Sequence, residues 1–127
     1  MANDTKSVSG IENIEYLSLL YDFYGELLGD KEREVMDLHH EDDMSLSEIA
    51  EELGRTRQGV HYTLKKAEAS LRHYEDKLGL VARHLQSRKL AREAEILCAG
   101  IASSKDLPDE IKKTVDSLAG MIRRFTE

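Results

Sequence analysis

Apolar residues recur at spacings of three and four over most of the chain, which is the period of amphipathic helices. The first such segment, residues 11–28, is predicted to be a helix with a broad apolar face. Gly29 would end this helix, and Asp30 would cap a second helix over residues 31–40. The apolar positions of the first helix are Ile14, Leu17, Leu20, Tyr21, Tyr24, Leu27 and Leu28.

A third, shorter helix is predicted to follow the acidic segment EDDMS. Ser45 stands three residues before Glu48, which is the spacing of a capping box, and Ser47 is the alternative cap. Gly54 is expected to end this helix. Its inward-facing positions are Leu46, Ile49, Ala50 and Leu53.

The fourth helix is predicted to be long, from residue 57 to about residue 78. Thr56 is well placed to cap it, and Gly79 either ends it or kinks it. Its apolar stripe consists of Val60, Leu64, Ala67, Leu71, Tyr74 and Leu78.

The remainder of the chain is predicted to be a helical C-terminal arm. One helix over about residues 80–99 would carry Val81, Leu85, Leu90, Ala94 and Leu97, and a last helix opens at Leu107–Pro108 and runs through Leu118, Ile122 and Phe125. No segment alternates with a two-residue period for long enough to predict a strand. The fold class is therefore all-α.

Three residues in the middle of the chain have the spacing of a helix-turn-helix. Ala50 is small enough for two helices to cross closely, and Gly54, four residues later, can take the left-handed conformation of the turn. Val60, six residues further on, would anchor the second helix in the core. The fourth helix is then the recognition helix.

Composition limits where such a protein could bind nucleic acid. The net charge of −7 argues against binding through the whole surface, although salt screening permits a local basic face. The lone Cys98 cannot form an internal disulfide, so a reducing, cytoplasmic environment is expected. Neither a signal peptide nor a transmembrane helix is predicted.

The sign of the charge reverses at Gly54. Residues 41–53 contain six acids and no base, whereas residues 54–72 contain five Arg and Lys residues against Glu68. Basic and amide side chains at the start of a recognition helix can contact phosphates and base edges. The candidate nucleic-acid-binding residues are Arg55, Thr56, Arg57, Gln58, His61, Tyr62, Lys65 and Lys66. The alternative is a solvated helix face on which the arginines pair with Glu51 and Glu52.

Other candidate chemistry is weaker. The segment HHEDD, residues 39–43, is more simply a helix end with an acidic turn than a metal site, because no further His or Cys stands nearby at ligand spacing. No nucleophile–base pair or Gly-rich phosphate loop is present, so we expect no enzyme activity and no cofactor. The aromatic residues of the first helix could stack on RNA bases, but core or interface positions are favoured. Together with the fourth helix they suggest a homodimer.

Residues 20–80 also carry an ordered set of family features. These are an aromatic first helix, Leu-Leu, Lys-x-Arg, an acidic turn, Ser-Leu-x-Glu-Ile-Ala and Thr-Arg-Gln-x-Val. In this chain they are Tyr21, Phe23, Tyr24, Leu27, Leu28, Lys31, Arg33, Asp42, Asp43, Ser45, Leu46, Glu48, Ile49, Ala50, Thr56, Arg57, Gln58 and Val60, with Gly59 in place of the usual alanine. The set resembles the YlxM-type family of small bacterial helix-turn-helix proteins, which are similar to the DNA-reading C-terminal region of primary sigma factors.

This resemblance implies a fold, a context and partners. The fold would be a sigma-region-like, winged-helix-like helix-turn-helix bundle over residues 11–80, with a disordered N-terminus over residues 1–10 and the helical arm over residues 81–127. The family is implied to be a cytosolic accessory of the signal recognition particle. The expected function is binding of that particle's RNA or of duplex DNA. The rival is an adaptor that contacts a targeting GTPase through its acidic surface.

Overall fold

Helices form all the regular secondary structure of residues 10–125, which are the residues that the computed structural model describes, with side chains from Asn13 onward. No strand occurs in this range, so the prediction of an all-α fold is confirmed. The winged-helix-like description is wrong for the described residues, because a wing is built from strands. The predicted disorder of residues 1–10 concerns, except for Gly10, residues outside the described range. The helices are α1 (Gly10–Tyr24), α2 (Asp30–Met36), α3 (Leu46–Leu53), α4 (Arg57–Leu78), α5 (Leu80–Ala102) and α6 (Asp109–Arg123).

The connection between the first two helices differs from its prediction. α1 ends at Tyr24, and a 3₁₀ turn over Gly25–Leu27 continues the chain towards Gly29. Gly29, rather than Asp30, is the N-cap of α2. The Gly29 amide donates to Glu32 Oε1 at 3.1 Å, which satisfies one of the free donors at the helix start.

The second predicted helix is also shorter than expected. α2 gives way to a π-helical turn over Asp37–Glu41, in which the Asp42 amide donates to the Asp37 carbonyl at 3.1 Å. Asp43 follows with a left-handed φ of 58°, a conformation that aspartate tolerates better than most residues. The His39 Nδ1–H donates to the Met44 carbonyl at 3.0 Å and closes the turn. Residues 31–40 are therefore not one α-helix.

The main core is organised around α4. The stripe Val60, Leu64, Ala67 and Leu71 is buried, as predicted, whereas Leu78 is 56% exposed and leaves the core. Because the first three helices cover this stripe within one chain, it does not support a homodimer through α4. The core residues that surround it are Leu17, Leu20, Tyr24, Leu28, Val35, Met36, Ile49, Ala50 and Val81.

The chain divides after Val81 into two compact units. The second unit contains α5 from Ala82 onward and α6, and the ion pair between Arg123 Nε and Glu95 Oε2 at 3.5 Å indicates that its helices run antiparallel. Of the apolar positions predicted for the fifth helix, Val81 is fully buried in the core of the first unit, but the later leucines do not form a buried stripe. The long side chains Leu85, Leu90 and Leu97 are exposed, and the small residues Ala91, Cys98 and Val115 are buried instead.

No described helix is both long enough and apolar enough to cross a membrane.

Candidate nucleic-acid interface

The turn between α3 and α4 has the geometry of a helix-turn-helix. Gly54 takes the left-handed conformation, with φ of 67° and ψ of 36°, and ends α3. The Arg55 amide then donates to the Ala50 carbonyl at 2.9 Å, which satisfies one of the last carbonyls of the helix. Ala50 is 6% exposed and Val60 is fully buried. All three residues that predicted the motif therefore have the roles assigned to them.

Local capping fixes where the two helices begin. Ser45, and not Ser47, caps α3: its Oγ accepts from the Glu48 amide at 3.1 Å, and Glu48 Oε1 accepts from the Ser45 amide at 2.8 Å. The hydrogen bond that the Ser45 amide donates to the Glu48 carboxyl lowers the pKa of this group most, and the Ser45 side chain lowers it further. Thr56 Oγ1 accepts from the Gly59 amide at 3.0 Å and caps α4. The Thr56 side chain therefore has a structural role in positioning the recognition helix.

Five of the eight predicted residues share one exposed face of α4. Gln58, His61, Tyr62 and Lys65 point away from the buried Val60 and Leu64. Arg57 stands seven residues before Leu64 and is exposed because it lies in the first turn of the helix. Among the side chains that the structure describes, Arg57, Gln58, His61 and Tyr62 have no hydrogen-bond or ion-pair partner, and Tyr62 is 69% exposed. The five are Arg57, Gln58, His61, Tyr62 and Lys65.

The remaining cations face acids of neighbouring segments. Arg55 Nη2 lies 3.7 Å from Glu34 Oε1, and Lys66 Nζ lies 3.7 Å from Glu32 Oε2. Both side chains therefore point towards α2. The alternative in which the arginines pair with Glu51 and Glu52 is therefore wrong for Arg55. Lys65 lies 3.5 Å from Glu68 on its own helix. Such exposed pairs contribute about 0–1 kcal/mol each, so a phosphate could replace the carboxylate at small cost.

Comparison with known proteins agrees with a helix-turn-helix fold. The model of the UPF0122 family, described as "Putative helix-turn-helix protein, YlxM / p13 like", matches residues 11–116. This chain belongs to the UPF0122 family. It is 43% identical to a UPF0122 protein of Thermoanaerobacter sp. strain X514 over 114 residues, which cover 87% of this chain and 93% of the relative. A UPF0122 protein of Listeria welshimeri is 37% identical over 107 residues, 84% of this chain and 94% of the relative.

A shorter match is closer in sequence. A UPF0122 protein of Caldanaerobacter subterraneus subsp. tengcongensis is 53% identical over 74 residues, which cover 58% of this chain and 63% of the relative. The family is thus shown for most of the chain, and its description as a helix-turn-helix protein agrees with the α3–α4 geometry.

One polar cluster of this UPF0122 protein was not predicted from the sequence. The Tyr24 hydroxyl donates to Glu75 Oε1 at 2.6 Å, and the same oxygen accepts from the Val81 amide at 2.9 Å. The Leu80 amide donates to the Tyr24 hydroxyl at 3.0 Å. Two side chains from α1 and α4 therefore cap the start of α5. Burial, followed by the hydrogen bond to Glu75, raises the pKa of Tyr24.

The segment HHEDD forms part of the π turn that precedes α3. The His39 and His40 rings lie edge to face, with centroids 5.2 Å apart, and burial lowers the pKa of His40. Among the described residues, no three His, Cys, Asp or Glu side chains are grouped so that they could hold a metal ion. Cys98 is a buried free thiol, which packs as a small hydrophobic residue.

Proposed function

We propose that this UPF0122 protein is a non-enzymatic, cytoplasmic accessory or regulatory protein that binds nucleic acid through α4. The observation that carries the proposal is the exposed, unpaired set Arg57, Gln58 and His61 at the start of that helix, directly after the Gly54 turn. These side chains are held by a rigid scaffold and have no competing partner among the described residues. They are therefore available to a ligand.

The chemistry of these side chains suits nucleic acid. Arginine can form paired hydrogen bonds with guanine and glutamine with adenine, so Arg57 and Gln58 could read base edges. The positive end of the helix dipole favours phosphate at the same place. Lys65 lies about two turns further along the same face, where it could contact the backbone, and Tyr62 could stack on an unpaired base.

The resemblance noted above supports the signal recognition particle pathway as the context. The RNA of that particle and duplex DNA are both candidate ligands, and the particle's GTPases are candidate protein partners. The acidic total charge favours a small footprint, because long acidic stretches would repel phosphates outside the α4 face. We include a homodimer in the proposal.

Titration of labelled nucleic acid with the full chain at two salt concentrations tests this function. The probes are signal recognition particle RNA and a random duplex DNA, followed by fluorescence anisotropy. Binding should weaken with rising salt, with a logarithmic slope near −0.9 for each DNA phosphate neutralised. Preference for the RNA would support a ribonucleoprotein accessory, and preference for DNA a transcriptional regulator.

A matched pair of double variants locates the binding surface. Arg57→Glu with Lys65→Glu should abolish binding, because it reverses two charges on the exposed face of α4. Lys112→Glu with Lys113→Glu makes the same change in net charge on exposed positions of α6 and should change affinity little. Equal affinities of the two double variants would show that α4 is not the binding helix.

The acidic surface favours a second candidate, a protein-interaction adaptor. All six acids of residues 41–53 are exposed and could contact a basic partner such as a targeting GTPase. In that case the chain would bind the GTPase and no nucleic acid, and Glu51→Lys with Glu52→Lys would abolish the complex. The α4 double variant would bind the GTPase normally.

A further inference from the structure

The second unit exposes an apolar surface that its own core does not use. Ala91, Cys98 and Val115 are its buried apolar residues within the described range, and they are small or medium in size. Eight large side chains point outwards with exposed fractions of 46–70%. Ile96 lines a groove on one side of the unit, and the other seven lie outside that groove. We call these seven the hairpin face: Leu90, Leu97 and Ile101 on α5, and Ile111, Leu118, Met121 and Phe125 on α6 or directly after it.

The spacing of the hairpin face is that of helices that pack against other helices. On α5 the apolar positions run Leu90, Ala94, Leu97 and Ile101, which alternate steps of four and three residues. On α6, Leu118, Met121 and Phe125 follow Ile111 by seven, ten and fourteen residues, and these spacings fit the same heptad repeat. Such a repeat places one continuous stripe along each helix.

The two stripes lie on the same side of the helical hairpin. The other side contains a groove in which the apolar residues Ile96, Ala99, Ala102 and Ala119 lie among the charged residues Arg92, Glu95, Asp116 and Arg123, and no residue of the hairpin face lines it. Around each helix, the apolar stripe lies on one side of the residues buried between the helices (Ala91 and Cys98 on α5, Val115 on α6), and the groove residues lie on the other side. For two antiparallel helices this geometry brings both stripes together on one surface.

The size of this surface matches one half of a protein–protein interface. At roughly 200 Å² for a large apolar residue, the exposed parts of the seven side chains amount to about 700–800 Å². A monomer's largest apolar patch is usually about 300–600 Å². A standard interface takes about 800 Å² from each partner. The hairpin face is therefore large enough for a stable complex.

Charges beside the α6 stripe indicate which partner fits. Glu110, Ser117 and Arg124 are spaced by seven residues and run along one edge of the stripe, with an acid at one end and a base at the other. Neither charged residue has an ion-pair partner within the described part of the chain. A second α6 that lies antiparallel, with the twofold axis near Ser117, would place each Glu110 opposite Arg124 of the second copy.

We propose that the hairpin face is a homodimer interface, in which the α5–α6 hairpins of two copies form a four-helix bundle with antiparallel α6 helices. This replaces α1 and α4 as the source of the dimer. A bundle of this kind would supply the core that one hairpin lacks. Each dimer would carry two helix-turn-helix units. The hairpin face specifies the surface of the homodimer included in the proposed function, but this interface does not depend on nucleic-acid binding, so the interface and nucleic-acid binding can fail or hold independently.

The mass of the full chain in solution tests this interface. Light scattering after size-exclusion chromatography should give a dimer at high micromolar concentration. Leu97→Glu should shift the equilibrium to monomer by at least tenfold in Kd. Ile96→Glu is the matched control, because the two side chains are neighbours, both are 70% exposed, and they point about 100° apart on the helix. A monomeric wild type, or equal effects of the two variants, would overturn the proposal.

Charge reversal tests the antiparallel arrangement without altering the apolar stripe. Glu110→Arg and Arg124→Glu should each weaken the dimer. Each single change gives residues 110 and 124 the same charge, so both symmetry-related contacts between position 110 of one copy and position 124 of the other become repulsive. The two changes combined should restore the wild-type Kd. Circular dichroism at 222 nm should be unchanged in all three variants. Failure of the combined variant to restore the dimer, with helix content retained, would contradict the antiparallel pairing.

Discussion

Removal of the Glu75 carboxylate should destabilise the protein far more than its partly exposed position suggests. Glu75 Oε1 accepts hydrogen bonds from the Tyr24 hydroxyl and the Val81 amide, which belong to residues that are 1% and 0% exposed. Glu75→Ala leaves both donors without this acceptor. A buried donor without a partner costs about 1–3 kcal/mol, so we expect a loss of about 3 kcal/mol of unfolding free energy.

Two further variants separate the acceptor from its charge. Glu75→Gln retains an amide oxygen at the same place and should cost only about 1 kcal/mol, because the hydrogen bonds become neutral. Asp76→Ala removes an exposed carboxylate from the next residue and should change stability by less than about 0.5 kcal/mol. The assay is urea unfolding followed by circular dichroism at 222 nm.

The order of the three variants is the decisive result. We expect Glu75→Ala to be the least stable, then Glu75→Gln, then Asp76→Ala. If Glu75→Ala were no less stable than Asp76→Ala, the carboxylate would not cap α5, and the reasoning from the geometry would be refuted.

Two other predictions concern the packing and ionisation of Tyr21. A Cβ on Gly25 would lie 2.8 Å from Tyr21 Cε1, and the ring is held by its hydrogen bond to Asp37, so Gly25→Ala should cost about 1–3 kcal/mol in urea unfolding. Gly120→Ala, where a Cβ meets nothing within 4 Å, should be neutral or stabilising, and equal losses would contradict the clash. Burial, followed by the hydrogen bond to Asp37, raises the pKa of Tyr21 to about 12 from its ordinary value of about 10. The protonated phenol is thus favoured in the folded state, so its stabilising contribution is complete below pH 10 and is lost between pH 10 and 12. The unfolding free energy of Tyr21→Phe should fall less between pH 10 and 12 than that of the wild type. If the unfolding free energies of the two proteins fell in parallel with pH, the raised pKa of Tyr21 would be refuted.

The helix-turn-helix was predictable because its determinants are local. Gly54 needs only a left-handed conformation, and the Ser45 and Thr56 caps need only an amide three residues away. The buried stripe of α4 follows from helical periodicity, since its first four apolar positions all face the same neighbours. These features depend on residues within one or two turns, so sequence spacing is sufficient to find them.

Features that depend on distant residues were not predictable in the same way. Tyr24 and Glu75 are 51 residues apart, and only the position of the acid, four residues after buried Leu71, hints that it lies at the edge of the core. The pairing of Arg55 with Glu34 depends on how α2 packs, which the charge pattern alone does not specify.

The sequence pattern of the last two helices marked large apolar residues that do not form the contact between these helices. Large apolar residues at heptad spacing indicate a packed face, yet Leu90 and Leu97 are exposed, and the small residues Ala91 and Cys98 occupy the contact between the helices. Periodicity reports that a face is apolar, but it does not report which surface covers it. The interface proposed above would resolve this difference.

The small core of the second unit has a consequence for the time scale of local opening. The large buried cluster of the described residues lies wholly within the first unit, and only Leu80 and Val81 of α5 belong to that unit. Amides of a helix exchange with solvent at rates set by the cost of exposing them locally. In the monomer, exchange should therefore accelerate along α5 from Val81 towards Ala102, so that one continuous helix contains both slowly and rapidly exchanging amides.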